Sequence, residues 1–223
     1  MKLLNKAILS VCALLMLPSI LPAEEMRVER EAIEWCDIRI PSAATLHQPR
    51  VLLVGDSITQ AYYNSVSSQL REAATCSKFA TSACVGDPAF LLQLNSLITQ
   101  YDFAVVHFNN GLHGFGYTEE EYGAGYEKAL KAIKEYLPSA TIILTLTTPL
   151  QEGSSQSRLN PRVDERNQIV LRLAEAHDCQ VNDLHAISKG HTEYYRDPYH
   201  YKEIAVTLQA KQVSQCILGS LKP

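Results

Sequence analysis

"RVLLVGDSITQAYY", residues 50–63, decides how the chain is read. The run through Val54 is apolar and of strand length, and it stops at Gly55. From Ser57 onward Ile58, Ala61, Tyr62, Val66 and Leu70 recur at helical spacing. A strand that feeds a helix through Gly55 and Asp56 holds the Ser57 hydroxyl at the end of a sheet. Such a hydroxyl is mere scaffold unless a base stands beside it, because serine at neutral pH attacks only as its proton is taken away.

Strand and helix signals alternate after this point. "KFATSACV" is a weaker strand, and "DPAFLLQLNSLI" opens on Asp87 as N-cap with Pro88 at the first helical position. "FAVVHF" is the next strand. Thr118 and Glu121 form a capping box ahead of a helical face made by Tyr122, Tyr126, Ala129, Leu130, Ile133 and Leu137. "TIILTLT" is a fourth strand, followed by the polar loop "QEGSSQSRLN". Asn160 and Pro161 read as cap and first turn of a helix to about Ala176, and "CQVNDL" is the fifth strand. A last helix runs from Tyr201 through Ile204, Ala205, Leu208 and Val213, with Gly219 as its stop. Five apolar strands separated by helices predict an α/β fold. It is a three-layer α/β/α sandwich around a mainly parallel five-stranded sheet. Ligands collect beyond the carboxyl ends of such strands, so Ser57, the 83–88 turn, the 108–114 loop and Thr147–Pro149 are expected to share one rim.

The N-terminus is of a different kind. Lys2 and Lys6 precede the uncharged stretch "AILSVCALLMLPSI", and "LPA" ends at Ala23, so residues 1–23 read as a signal peptide. That makes the protein secreted or periplasmic. The apolar stretch is short for a bilayer span of roughly 20 residues and is interrupted by Pro18, so no stable membrane span remains after signal removal. Lipoprotein anchoring through Cys12 is disfavoured by the bulky Val11 before it. Residues 24–49 form a lead-in, with "EEMRVEREAIEW" read as a short helix, and residues 50–223 a single catalytic domain. The formal charge of −4 becomes −6 once Lys2 and Lys6 leave, and no basic patch interrupts it, which excludes nucleic acid as a partner. Cys36, Cys76, Cys84, Cys179 and Cys216 remain, an odd number whose pairing the sequence does not fix.

Seven histidines offer themselves as the base for Ser57. His200, in "RDPYHYKEIAV", is best placed, because Asp197 stands three residues before it on a turn stiffened by Pro198. The carboxylate can hold one imidazole nitrogen while the other faces Ser57. The competing reading makes Asp197 and His200 loop residues, or metal ligands with His185 or His191. No HExxH or paired-Cys motif supports a metal, and none is expected. His107, inside a strand, reads as a core residue.

"GDSIT" near one end and "DPYHY" near the other resemble the SGNH, or GDSL, family of serine esterases. The resemblance covers about residues 50–218. It implies a flavodoxin-like fold with no cofactor, Ser57 as nucleophile, His200 as base and Asp197 as its orienter. It also implies an oxyanion hole, in which the backbone N–H groups of Ser57 and Gly86 are joined by an Asn side chain. Gly86 and Asp87 of "SACVGDPAF" match the family's second block. The third block departs: where the family has G-x-N-D, this chain reads "HFNNGLHG", placing Asn109 at the usual Gly and Gly111 at the usual Asn. Asn110, or Asn109 beside it, is the expected donor. His113 in the same loop is assigned to the cleft lining. Tyr199 and Tyr201, which flank His200, are either cleft wall or packing against the rim.

The implied function is an exported esterase that removes small acyl groups, acetyl foremost, from a small-molecule or glycan ester. Two alternatives stand beside it: a lipase- or lysophospholipase-like acyl hydrolase, and a carbohydrate-binding protein on the same fold that has lost catalysis.

Overall fold

The computed structural model describes residues 28–41 and 48–221. The signal segment and its cleavage site, Cys12 and the start of the expected lead-in helix lie outside them. A six-stranded sheet runs through the molecule in the order β1-β3-β2-β4-β5-β6. Its strands are β1 (Cys36–Arg39), β2 (Arg50–Gly55), β3 (Thr75–Thr81), β4 (Val105–Phe108), β5 (Thr141–Leu146) and β6 (Gln180–Asp183). The five expected strands are β2 to β6, and all pair in parallel. The addition is β1, which pairs antiparallel with β3 in register Cys36 to Thr81. Residues 28–35 ahead of it are irregular, so the expected lead-in helix is absent there.

The helices are α1 (Ser57–Leu70), α2 (Pro88–Ile98), α3 (Glu119–Tyr136), α4 (Asn160–Ala176), the short α5 (Leu184–Ser188) and α6 (Glu203–Ser220). One sheet face packs Leu52, Val54, Phe79 and Phe108 against Phe90, Leu94, Tyr126 and Leu130 of α2 and α3. The other packs Val51, Leu53, Val105 and Ile143 against Tyr62 and Val66 of α1 and Ala210 and Val213 of α6. Both faces of β2 are therefore buried, which is why its sequence is continuously apolar rather than alternating.

Local signals set the helix starts. Asp56 is extended and its side chain accepts from Ile58 N at 3.0 Å, and Asp87 does the same for Ala89 N at 2.7 Å. The capping box of Thr118 and Glu121 closes in both directions. Asn160 differs from expectation: both ends of its amide are taken by the backbone of Leu150, and it does not cap α4.

Chain order places the site. After β2 the chain crosses to β3 on one side and then to β4 on the other, so the crevice opens at the carboxyl end of β2. Gly55 makes the turn there possible, since a Cβ would stand 2.0 Å from Thr59 Oγ1 and 2.8 Å from Asn109 O.

His107 is wholly buried in β4 on the Tyr62 side, with Nε2 next to Thr145 Oγ1 at 3.0 Å and Asn182 Nδ2 at 2.9 Å. Burial pushes its pKa down to about 3. The unfolded chain therefore binds a proton below about 6.5 that the folded chain refuses, so this contribution is complete above that pH and is lost as pH falls. Urea unfolding at pH 7 and pH 5 is expected to show a loss about 2 kcal/mol larger in wild type than in His107→Gln. Equal losses contradict this account of His107.

Candidate active site

Ser57 is the first residue of α1, immediately after the Asp56 cap, so the hydroxyl stands at the sheet rim where the helix dipole is positive. His200 and Asp197 come from the turn before α6. Ser57 Oγ lies 2.9 Å from His200 Nε2, across 143 positions of sequence. His200 Nδ1 lies 2.9 Å and 3.0 Å from the two carboxylate oxygens of Asp197. Burial alone would raise the Asp197 pKa. The backbone N–H groups of Tyr199 and His200, each 2.9 Å from Oδ1, outweigh it together with the imidazole and hold the carboxyl below its ordinary range.

The turn carrying the imidazole is closed on itself and fastened to the β5–α4 loop. Arg196 N donates to His200 O at 2.9 Å, and Tyr195 bridges Tyr201. The hydroxyls of Tyr195 and Tyr201 both donate to Pro149 O at 2.8 Å, and Gln151 N donates to Pro198 O at 3.0 Å. Asn167 of α4 bonds the backbone of Thr147 in both directions. Thr147–Pro149, expected on the rim, is thus the mooring of the His200 turn.

The remaining expected residues divide. Among the described residues the Gly86 N–H meets only the Cys84 sulfur, at 3.5 Å, a weak acceptor. Asn110 is buried and bridges two loops: its Oδ1 accepts from Val85 N at 3.3 Å, and its Nδ2 donates to Ala83 O at 3.1 Å. One amide proton of Asn110 is left over. Asn109 is fully buried, with no partner for its amide among the described residues. His113 sits against the lead-in, Nδ1 2.6 Å from Glu31 Oε1 and its ring edge-on to Trp35. Burial would lower its pKa, but Glu31 and Asp56 raise it above the usual value. Tyr199 tilts against His200 at 6.3 Å between ring centroids. Tyr201, a candidate for the cleft wall, is instead buried with its hydroxyl bound to Pro149 O, so it packs and moors.

Three features escaped the sequence reading. Arg166 of α4 is fully buried and donates to the carbonyls of Gly111, His113 and Gly114 and to Glu119. Arg162 bonds Phe115 O, Tyr117 O and the same Glu119. This pair shapes the β4–α3 loop, and its only trace in the sequence is two arginines four apart on the helix expected to cover the sheet. The third is the lead-in, which lays Trp35, Cys36 and Asp37 along a cleft of about 490 Å³ shared with Ser57, Gln60, Ala61, Arg196 and His200. Among the described residues no cluster of His, Cys, Asp or Glu is arranged to hold a metal ion, and the five cysteines are unpaired.

A hydroxyl bonded to an imidazole that is bonded to a carboxylate, at the mouth of a parallel sheet, suits acyl transfer. The profile of the GDSL-like lipase/acylhydrolase family matches residues 53–203. The chain belongs to this family. Family membership implies ester hydrolysis. Among solved structures, a GDSL-like lipase from Bacteroides thetaiotaomicron superposes with a TM-score of 0.65 at 17% identity, over 80% of this chain and 94% of its own. The acetyl xylan esterase AlAXEase gives 0.63 at 18% identity, over 75% and 99%. A carbohydrate esterase family 3 protein from Talaromyces cellulolyticus gives 0.64 at 14%, over 77% and 98%. At these identities the likeness concerns the fold. Sequence comparison with curated proteins finds no match.

Gly125 is the close contact that seats the Gly86 loop on α3. A Cβ there would lie 2.1 Å from Val85 O and 2.9 Å from Gly86 N. Replacing a mid-helix Gly by Ala ordinarily stabilises by about 0.5–1 kcal/mol. Here Gly125→Ala is expected to lower the melting temperature and turnover together, because the Val85–Gly86 peptide must move. A raised melting temperature with unchanged turnover would remove Gly125 from the site's support.

Proposed function

We propose that the protein is an exported esterase that removes small acyl groups, acetyl foremost, from carbohydrate esters. The observation that carries this reading is the unbroken relay from Ser57 Oγ through His200 to Asp197, with every link between 2.9 and 3.0 Å. Ser57 attacks the ester carbonyl as His200 takes its proton, and a C–O bond forms while the carbonyl becomes an oxyanion. The backbone N–H groups of Ser57 and Gly86 and the spare amide proton of Asn110 receive that charge. The alcohol then leaves, protonated by His200, and water activated by the same imidazole releases the acid and restores Ser57. Asp197, kept anionic, fixes the tautomer and stabilises the imidazolium.

Two observations support a small acyl group and a sugar. The cleft at Ser57 mixes one indole with polar groups from Asp37, Gln60 and Arg196, and is not an apolar tunnel. Two fold neighbours carry carbohydrate-esterase names. His113, whose ring meets Trp35, and Tyr199, whose ring tilts against His200, are assigned to the cleft margin on this reading, and the N-terminal segment supports export. A lipase-like reading has one specific observation in its favour. A hollow of about 560 Å³ between α2 and α3, lined by Val85, Gly86, Leu91, Leu92, Tyr117 and Ala124, would accept a longer chain.

A fluorophosphonate reagent is expected to label wild type and not Ser57→Ala, and that substitution should cost turnover at least about 10⁴-fold. Absence of labelling in folded wild type turns the reading into a binding protein. Across acetyl, butyryl and octanoyl nitrophenyl esters the acetyl ester should be fastest, and a preference for octanoyl moves the assignment to the lipase class. For the oxyanion, Asn110→Ala should lower kcat by about 10²–10³. Turnover that survives in Asn110→Ala and is lost in Asn109→Ala places the donor at Asn109.

A further inference from the structure

We infer that Trp35 is the platform on which the pyranose ring bearing the ester stacks, so that the lead-in segment sets alcohol specificity. This rests on the functional reading above and assigns it a subsite. Trp35 is the chain's only tryptophan, and it lines the same cleft as Ser57 and His200.

The main chain that carries the indole is held in place before any ligand arrives. Trp35 N donates to Ser82 Oγ at 2.9 Å, and Trp35 O accepts from Ser82 N and Thr81 Oγ1, each at 3.1 Å. Those partners sit at the end of β3 and just beyond it, so the residue is bolted to the sheet on both sides of its own peptide. The ring meets the edge of His113 at 6.3 Å and 74°, and His113 is in turn pinned by Glu31 at 2.6 Å. A ring fixed this way loses little freedom on binding, which is how preorganised aromatic anchors gain affinity.

The rest of the cleft complements a sugar. A pyranose presents a flat face of C–H groups and a rim of hydroxyls. The indole answers the first, and the amide of Gln60, the carboxylate of Asp37 and the guanidinium of Arg196 answer the second. Asp37 is steadied by Lys78 and by Gln60 Nε2 at 3.1 Å, so it is an oriented acceptor and not a mobile one.

The test compares two esters that differ in the alcohol. Ethyl acetate has an alcohol too small to reach Trp35. Its counterpart is whichever mono-O-acetylated methyl pyranoside of gluco, galacto, manno or xylo configuration wild type hydrolyses fastest. Trp35→Ala should lower the ratio of kcat/KM for the pyranoside to that for ethyl acetate by about tenfold or more. Trp35→Phe, which keeps a ring, should hold that ratio within about threefold. Titrating the same pyranoside into Ser57→Ala should change the tryptophan emission, excited selectively at the red edge of the absorption band, which this single indole supplies. An unchanged ratio in Trp35→Ala, or a fluorescence signal blind to the pyranoside, overturns the inference and leaves the esterase reading standing. Hydrolysis of ethyl acetate with none of the four pyranosides overturns it together with the sugar part of that reading. Absence of fluorophosphonate labelling in folded wild type is what would overturn the esterase itself.

Discussion

A hydroxyl and an imidazole 143 residues apart must stay within 2.9 Å of one another, and neither lies in the core of a helix or strand. Everything around them serves that constraint. The hydroxyl is fixed cheaply, by a buried strand, a glycine that lets the turn close on Thr59, and a capping aspartate. The imidazole has no such strand behind it. Its turn is tied instead to the neighbouring β5–α4 loop, where Pro149 O takes two tyrosine hydroxyls and Gln151 reaches back to Pro198. Reacting groups displaced by an ångström lose much of their advantage from orientation, so these ties on the far side of the turn matter as much as the contacts at the reacting atoms.

The β4–α3 loop meets a different difficulty. It carries three glycines and several carbonyls that no strand or helix satisfies, and it must stay put beside the candidate nucleophile. α4 answers with Arg166, fully buried, whose guanidinium collects the carbonyls of Gly111, His113 and Gly114 while Glu119 balances its charge. Burying a cation is costly unless it is both paired and hydrogen-bonded, and here it is both. The geometry of this loop is thus written partly in α4, more than fifty residues downstream. That explains why the departure of "HFNNGLHG" from the usual block is hard to interpret locally. Asn110, which braces Ala83 and Val85, ties the same loop to the Gly86 turn, so the two loops that carry the proposed oxyanion donors are fastened to each other.

Sequence made the architecture legible wherever local chemistry and burial agreed. The apolar runs of β2, β4 and β5 are buried on both faces, and the starts of α2 and α3 carry side chains that cap them as expected. Ser57, Asp197 and His200 were singled out by the demand of a serine for a base, by the short spacing of the last two and by the resemblance of "GDSIT" and "DPYHY" to a known family, and the three side chains do meet. The sixth strand was not. β1 is four residues long, mostly exposed and paired on one side only, so it leaves no periodic signature. The stretch ahead of it is rich in glutamate and imitates a helix, yet those carboxylates serve Ser82 and His113. The cap reading of Asn160 and the cleft-wall alternative for Tyr201 failed for a related reason. Each residue has a plausible local role, as cap or as cleft wall, and each is claimed by a distant backbone carbonyl or amide that sequence spacing does not reveal.

The exposure of the Ser57–His200–Asp197 relay bears on where discrimination can arise in the proposed reaction. Asp197 retains 40% of its side-chain exposure, and the cleft beside Ser57 is open, so the protein itself does little to exclude water from the relay. Charge separation on the imidazole is stabilised best where water is displaced by fixed dipoles. An acetyl group is too small to do the displacing. In the proposed reaction the alcohol portion is the only part of the substrate large enough to cover the relay, and the wall it must lie against is the one built by residues 35–37. Binding energy gathered there would be realised as a drier reacting centre, which appears in kcat as well as in KM. On the proposed reading, selection among alcohols then falls to the segment before β2, whereas the parallel sheet holds the hydroxyl and imidazole in reach of one another.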